Sequence, residues 1–320
     1  MDLEKGHQPV PPAAWGRFTS LPRSRQGGTG GRSRPGRDRQ FLRNSLRGYL
    51  DMAEVIVFTD LDGTLLDHKS YGVRAALPAI DLLVRRGIPI IPVTSKTAAE
   101  TRRWVKLLTL EGPFICENGC GVVIPVGCLK GRPEGAVEED GEWRISLGAG
   151  IGEVRRGLEE LSEMAGFSYR SFGQMSADEL SSLTGLAGKE LDQCLAREYE
   201  EPFIILEEHD ADFIGKKAAE KGFHFTKGGR FYHLTSGCHK GEAVKILANL
   251  YREELSDPLF VGIGDSFNDL PMFNSVDMPF LVQKPDGTYD PLVPEDAACR
   301  VSGVGPRGWR AAVEKVMTLG

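Results

Sequence analysis

Residues 54–67 read EVIVFTDLDGTLLD, and the rest of the chain is parsed outward from them. EVIVF is a short apolar run with no polar alternation, the pattern of a strand buried on both faces. It breaks into the loop TDLDGT, which sets Asp60 and Asp62 at the strand's carboxyl end. In a roughly extended chain the side chains of residues i and i+2 point to one side, so these two carboxylates share a direction. Gly63 and Thr64 then permit a tight turn with exposed backbone N–H groups.

Downstream, strand and helix patterns alternate. VRAALPAIDLLVRR (73–86) spaces its apolar residues for a helix, with Gly87 as a C-cap. IPIIPV (88–93) is the next strand. Residues 97–110 form a second helix, opened by Thr97 and Glu100 as a capping-box pair, and PFIC is a third strand. That spacing predicts parallel βαβ units. The stretch 128–235 differs: EWRISLGA, FSYRSF, PFIILEE and the hairpin FHFTKGG/RFYHLT, with Gly228 and Gly229 at its turn, give more strands than helices. The parallel pattern resumes with the helix HKGEAVKILANLYREEL, the strand PLFVGIG, SFNDLPMF opening a helix, and the strand MPFLV. The expected fold class is α/β: a doubly wound, Rossmann-like parallel core (52–127 and 236–320) carrying an inserted α+β cap (128–235), preceded by a basic tail (1–51).

Composition agrees with a soluble two-domain protein. Of 320 residues, 41% are hydrophobic and 26% charged, enough for a sizeable core. The net charge of -6 conceals an asymmetry: residues 1–51 hold 10 Lys/Arg against 4 Asp/Glu, and the remainder is acidic. An acidic body is a poor nucleic-acid binder, which leaves the Arg-rich tail as the only route to RNA. The tail has no periodic apolar face and reads as disordered. An inert extension, a phosphate-binding segment and an upstream translation artefact ending before Met52 all fit it. No apolar run spans a bilayer and the start lacks a signal-peptide core, so the expected location is cytoplasmic. Six cysteines make no disulfide framework; Cys116 and Cys120 are expected to be buried thiols in a reducing compartment.

Ligands bind α/β sheets at the carboxyl ends of strands. There the chain sets Asp60 and Asp62, and, after PLFVGIG, Asp265 and Asp269 beside Asn268. Four converging carboxylates repel one another unless a cation sits among them, and an all-oxygen set favours Mg²⁺. Thr94 and Ser95 end the second strand and offer donors to a phosphate, and Lys240 opens a helix as a compact cation. Lys96 lies next to that strand end, and Glu117 and Asn118 follow the third strand at the same edge. A carboxylate nucleophile, Mg²⁺ and donors for equatorial oxygens are what phosphoryl transfer needs. No G-x-S-x-G, Walker loop or strand-following G-x-G-x-x-G is present, so serine-hydrolase, kinase and dehydrogenase readings fall away.

DLDGTLLD (60–67), the Thr94/Ser95 strand end, Lys240 and GIGDSFND (262–269) resemble, in order, the four motifs of the haloacid dehalogenase superfamily of phosphatases. That resemblance implies that Asp60 attacks phosphorus, that Asp62 protonates the leaving alkoxide and then activates water, and that Thr94 and Lys240 hold the phosphate. It implies that Asp60, the Asp62 carbonyl and Asp265 bind Mg²⁺ with Asp269 supporting them. Thr94 is favoured over Ser95 as the motif hydroxyl. A cap between the second and third motifs resembles the C2 type, in which the cap selects the substrate. VTSKTAAE, CENGCGVVIP, AREYEEPFI, RFYHLT and KPDGTYDP resemble the mannosyl-3-phosphoglycerate phosphatase branch. The implied substrate is a small phosphorylated sugar–glycerate. Its carboxylate calls for a guanidinium, from Arg170 or Arg197, and Ser171 is a hydroxyl-binding candidate. A glucosyl-3-phosphoglycerate phosphatase, another sugar phosphatase and a sugar phosphomutase remain open.

Overall fold

The computed structural model describes residues 54–228 and 230–319; the basic tail lies outside the described residues. The first strand, β1 (Val55–Thr59), is buried throughout and lies at the switch point of a parallel sheet. The elements that follow are α1 (Leu77–Arg85), β2 (Ile90–Pro92), α2 (Ala98–Leu107), β3 (Phe114–Cys116) and β4 (Gly121–Pro125). Pro78 near the start of α1 and the Thr97–Glu100 capping box of α2 set the helix starts. Next come β5 (Val137–Glu139), β6 (Glu142–Ser146), α3 (Ile151–Ala165), β7 (Tyr169–Ser171), α4 (Ala177–Thr184), α5 (Lys189–Leu195) and β8 (Glu200–Ile205). The chain closes with α6 (Ala211–Glu220), β9 (His224–Gly228), β10 (Phe231–Thr235), α7 (Lys240–Glu254), β11 (Leu259–Gly264), α8 (Leu270–Phe273), β12 (Met278–Gln283), β13 (Cys299–Val304) and α9 (Pro306–Leu319).

The core sheet runs β13-β12-β11-β1-β2, all parallel, and a bridge from Val93 to Ile115 carries it on to β3. Alternate residues of β1 serve opposite faces. Val55 and Val57 pack with Leu83 of α1 and Trp309 and Val313 of α9; Ile56 and Phe58 pack with Val244 and Leu247 of α7. This is the doubly wound arrangement, with helices covering both faces of a parallel sheet.

The inserted unit has its own sheet, antiparallel in the order β7-β8-β10-β9. Val154, Leu158 and Leu161 of α3 and Ile214 and Ala218 of α6 pack on Phe203, Tyr232 and Leu234. The expected hairpin is present as β9 paired with β10. The boundary expected at 127/128 moves. β6 pairs with β4, β5 pairs with β6, and Trp143 and Ile145 join the cluster containing Ile56 and Phe58. We therefore assign 137–146 to the core and start the cap after Gly148. A second correction concerns sulfur: Cys120 is disulfide-bonded to Cys238, while Cys116 remains a buried thiol. The partner stands 118 residues away in sequence, outside anything local spacing can register.

Candidate active site

β1 delivers Asp60 and its parallel neighbour β11 delivers Asp265, so both acids emerge at the switch point of the sheet. The Asp60 amide donates to the Ile263 carbonyl at 2.9 Å, which ties the two strand ends together. Beneath them Trp309 of α9 donates its indole N–H to Thr59 Oγ1 at 2.9 Å, and Thr59 donates to the Asp60 carbonyl at 2.8 Å. Asp60, Asp265 and Asp269 are all buried, and one oxygen from each lies within 4.8 Å of the others.

Lys240, the first residue of α7, is 2% exposed and donates to both Asp60 Oδ1 and Asp269 Oδ1 at 2.7 Å. Burial alone would depress the ammonium, but Asp269 and Asp60 carry it above its ordinary value, so it is charged. Burial, opposed by Lys240 and reinforced by Asp269 and Asp265, pushes Asp60 up to about 8. The second oxygen of Asp269 accepts from the Asp265 and Ser266 amides at 3.0 and 3.1 Å. Asp269 is thus fully engaged in holding the Asp265 loop and Lys240. Gly63 has φ of 80°, and a β-carbon there would come 2.7 Å from Asp265 Oδ2, so only glycine lets the DLDGT turn approach this acid.

Asp62 is half-buried and pairs through Oδ2 with Lys96 Nζ at 2.9 Å, while its Oδ1 is a buried acceptor without a partner. Lys96 also lies 3.9 Å from Glu100 and over the Tyr71 ring. Lys284 Nζ stands 3.2 Å from Asp265 Oδ2. Lys96 and Lys284 complete the cationic lining. The sequence left Lys96 open because a lysine after a strand end is equally compatible with an exposed side chain, and KPDGTYDP carried Lys284 without any spacing that ties it to Asp265. Thr94 is fully buried and its Oγ1 accepts from the Lys96 amide at 3.2 Å; Ser95 is partly exposed.

The candidate residues at the cap boundary divide. Glu117 is fully buried, and its carboxylate accepts from the amides of Glu198, Tyr199 and Glu200 at 2.8–3.1 Å. Burial pushes its carboxyl up to about 7, against the pull of Arg197 and those amides. With its acceptors taken, Glu117 fastens the start of β8 to the core. Asn118 donates to Glu200 Oε2 at 2.5 Å and accepts from Asn268 at 2.7 Å, which links the cap to the GDSFND loop. His233 contacts the other Glu200 oxygen at 2.5 Å.

Arg197 is also committed. It donates to the Ser95 carbonyl at 2.7 Å, to the Cys194 carbonyl at 3.0 Å and to Glu200 at 3.2 Å. Arg170, on the edge strand β7, is half-exposed and pairs with Glu179 at 2.8 Å. Ser171 caps the 172–174 turn. Nothing ties Arg170 or Ser171 directly to the acidic cluster among the contacts of the described residues. No helix of the described residues is long and apolar enough to cross a membrane.

Three buried carboxylates that offer only oxygen are compatible with a hard cation, and Asp60 is raised chiefly by its burial and then by Asp269 and Asp265, against the pull of Lys240. The donor set fits a divalent metal. Asp60 beside Lys240, with Asp62 and Lys96 paired at the neighbouring strand ends, gathers carboxylates and ammonium groups that suit an oxygen-nucleophile phosphoryl site.

The comparisons with known proteins point the same way. A family described as haloacid dehalogenase-like hydrolase matches residues 57–126 and 172–285. A glucosyl-3-phosphoglycerate/mannosyl-3-phosphoglycerate phosphatase of Methanococcoides burtonii is 40% identical over 260 residues, 81% of this chain and 95% of that relative. A phosphatase of the same description from Persephonella marina is 37% identical, with 82% of this chain and 97% of that relative covered. A mannosyl-3-phosphoglycerate phosphatase of Pyrococcus furiosus is 33% identical over 71% of this chain and 90% of its own length. Among solved structures, a Thermoplasma acidophilum protein superimposes with a TM-score of 0.58 at 21% identity, covering 84% of this chain and all of that one. A Bacillus subtilis haloacid dehalogenase-like hydrolase gives 0.56 at 18% identity over 83% and 99% of the two chains. At those identities the structures speak to the fold.

Proposed function

Since the chain belongs to the haloacid dehalogenase-like hydrolases, we propose that it is a Mg²⁺-dependent phosphomonoesterase that hydrolyses mannosyl-3-phosphoglycerate to mannosylglycerate and phosphate. The observation that carries the reading is Asp60, buried at the sheet's switch point, within hydrogen-bond reach of Lys240 and clustered with Asp265 and Asp269.

In this mechanism Asp60 attacks phosphorus and the P–O bond to C3 of the glycerate breaks. Asp62 gives its proton to the departing alkoxide. Asp62 then takes a proton from water as that water attacks the phosphoaspartate, which frees phosphate and restores Asp60. Lys240, Thr94 and Ser95 hold the phosphate oxygens, and Lys96 holds Asp62 in place. Asp60, the Asp62 carbonyl and Asp265 would bind Mg²⁺, with Asp269 behind them; when bound, the ion supplies charge neutralisation for nucleophile and phosphate. We assign the glycerate carboxylate to Arg170 in preference to Arg197, because the Arg197 donors are already occupied. Ser171 beside Arg170 is proposed for a hydroxyl, and the cytoplasm, where phosphorylated metabolites are retained, for the location.

The names of the two relatives at 40% and 37% identity favour a second reading in which glucosyl-3-phosphoglycerate is also a substrate. The test is phosphate release from mannosyl- and glucosyl-3-phosphoglycerate, mannose 6-phosphate and p-nitrophenyl phosphate. A strong preference for one or both glycosyl-phosphoglycerates supports the assignment. Equal rates on mannose 6-phosphate overturn the substrate, and transfer to a second sugar hydroxyl without free phosphate overturns hydrolysis.

A further inference from the structure

The Cys120–Cys238 disulfide occupies the point where the cap's two connections to the core meet. Cys120 closes the 117–119 turn that carries Glu117 and Asn118, and its carbonyl accepts from the Leu147 amide at 2.8 Å on the outgoing connection. Cys238 lies on the returning connection, two residues before Lys240. The outgoing chain passes directly over the bridge: a β-carbon on Gly148 would come 2.9 Å from Cys238 Sγ and 3.1 Å from Cys120 Cβ. The Ala149 amide donates to Ser236 Oγ, which joins the two connections, and a β-carbon on Gly119 would collide with the His239 carbonyl and the Lys240 nitrogen. One bond therefore spans the turn that fastens the cap and the segment that aims Lys240.

We propose that Cys120–Cys238 is a thiol–disulfide exchange site that takes a small dithiol, and that the bridged form is the more active one. A thiolate of the dithiol attacks one protein sulfur and releases the other cysteine as a thiolate, which takes up a proton. The second thiol of the reagent then displaces the remaining protein sulfur. The reagent ends as its cyclic disulfide and the protein as two thiols, a two-electron exchange. Two observations support the site, and its burial sets the pace of exchange. Both cysteines are buried, so the dithiol reaches a sulfur only when the 117–120 turn and the returning connection part, and exchange is slow. Cys116, the nearby free thiol, is buried, is held well above its ordinary pKa by that burial, and lies against the Gly121 carbonyl, so it is not a competing nucleophile. And Lys240 contacts Asp60 directly, so freedom gained at Cys238 is felt at the nucleophile. Because Lys240 serves the phosphate, reduction lowers turnover of every phosphomonoester by the same factor. This use of turnover rests on the phosphatase reading, whereas the state of the bridge is read separately by mass.

The experiment treats the full chain, purified without reductant, with dithiothreitol. It counts free thiols by alkylation and peptide mass, and follows kcat on p-nitrophenyl phosphate and on mannosyl-3-phosphoglycerate. Expected are two additional alkylated cysteines, at 120 and 238, and a fall in kcat of about 10- to 100-fold on both substrates that reverses with oxidised glutathione. Cys120→Ser and Cys238→Ser should start at the reduced rate and ignore dithiothreitol, while Cys128→Ser/Cys299→Ser should respond like wild type. If the serine variants fail to fold, the reversible wild-type titration still decides. Full reduction with kcat unchanged, a bridge absent from the oxidant-exposed protein, or a bridge that resists prolonged dithiothreitol overturns the proposal. Absence of any phosphatase activity alongside normal exchange would fault the functional reading instead.

Discussion

Replacing Arg197 with alanine separates two roles for a cap arginine. The guanidinium is 6% exposed and bonds to the Ser95 and Cys194 carbonyls and to Glu200, itself fully buried. Removing it leaves the Glu200 carboxylate with only His233 and Asn118, and strips a donor from the Thr94–Lys96 turn. Deleting one partner of a buried ion pair costs about 3–5 kcal/mol. At roughly 2–4 °C per kcal/mol for a domain of this size, Tm should fall by about 6–20 °C. On the proposal that Ser95 belongs to the phosphate-holding turn, kcat/KM should fall by the same factor on p-nitrophenyl phosphate and on mannosyl-3-phosphoglycerate. Arg170→Ala should behave oppositely. Its pair with Glu179 is solvent-exposed on both sides and screened by water, so Tm should barely move. Loss of a carboxylate contact worth about 2–4 kcal/mol should lower kcat/KM by roughly 30- to 1,000-fold on the phosphoglycerate substrate alone. Thermal melts with paired kinetics on both substrates decide. If Arg197→Ala keeps its Tm and its rate on p-nitrophenyl phosphate but loses the phosphoglycerate, Arg197 is the substrate's ligand and the geometric reasoning fails.

Asp60→Asn should abolish turnover, since an amide cannot form the acyl phosphate; appreciable phosphate release from mutant protein free of wild type would remove Asp60 as the nucleophile. Excess EDTA should silence the enzyme, Mg²⁺ should restore it and Ca²⁺, with its larger and looser oxygen shell, should inhibit; full activity in EDTA would rule the metal out. Glu117 gives a pH signature. Its carboxyl is raised from 4.5 to about 7, so the folded chain holds this proton more tightly than the unfolded one. The associated stability is complete below pH 4.5 and is lost as pH rises through about 7. Tm should therefore decline between pH 5 and 8 more steeply in wild type than in Glu117→Gln, and parallel slopes would assign the decline to other groups.

What could be read in the sequence was whatever local pattern controls. EVIVF and PLFVGIG announce buried strands, the capping residues Thr97 and Glu100 start their helix, and acids placed after strands arrive at one sheet edge because a parallel sheet brings its carboxyl ends together. What escaped depends on partners far away. The 137–146 hairpin has the same alternation whether it pairs with the core or with the cap, and only its pairing with β4 decides. Glu117 follows a strand at the ligand edge, as expected, yet a left-handed backbone (φ 46°) accompanies a carboxylate directed at the amides of β8. Cys120 gives no hint of Cys238.

The contact between Trp309 and Thr59 has a consequence for how the molecule is made. The strand bearing Asp60 leaves the ribosome before the cap, but its neighbour β11 and the helix that props it from below follow the cap. The cap, with its own apolar cluster, is complete once Thr235 has emerged. A nascent chain therefore carries a finished cap beside an open sheet, with β1 lacking its β11 partner until Gly264 has emerged. Stalled or truncated products should expose that edge, and their fate falls to chaperones and proteases rather than to partial activity.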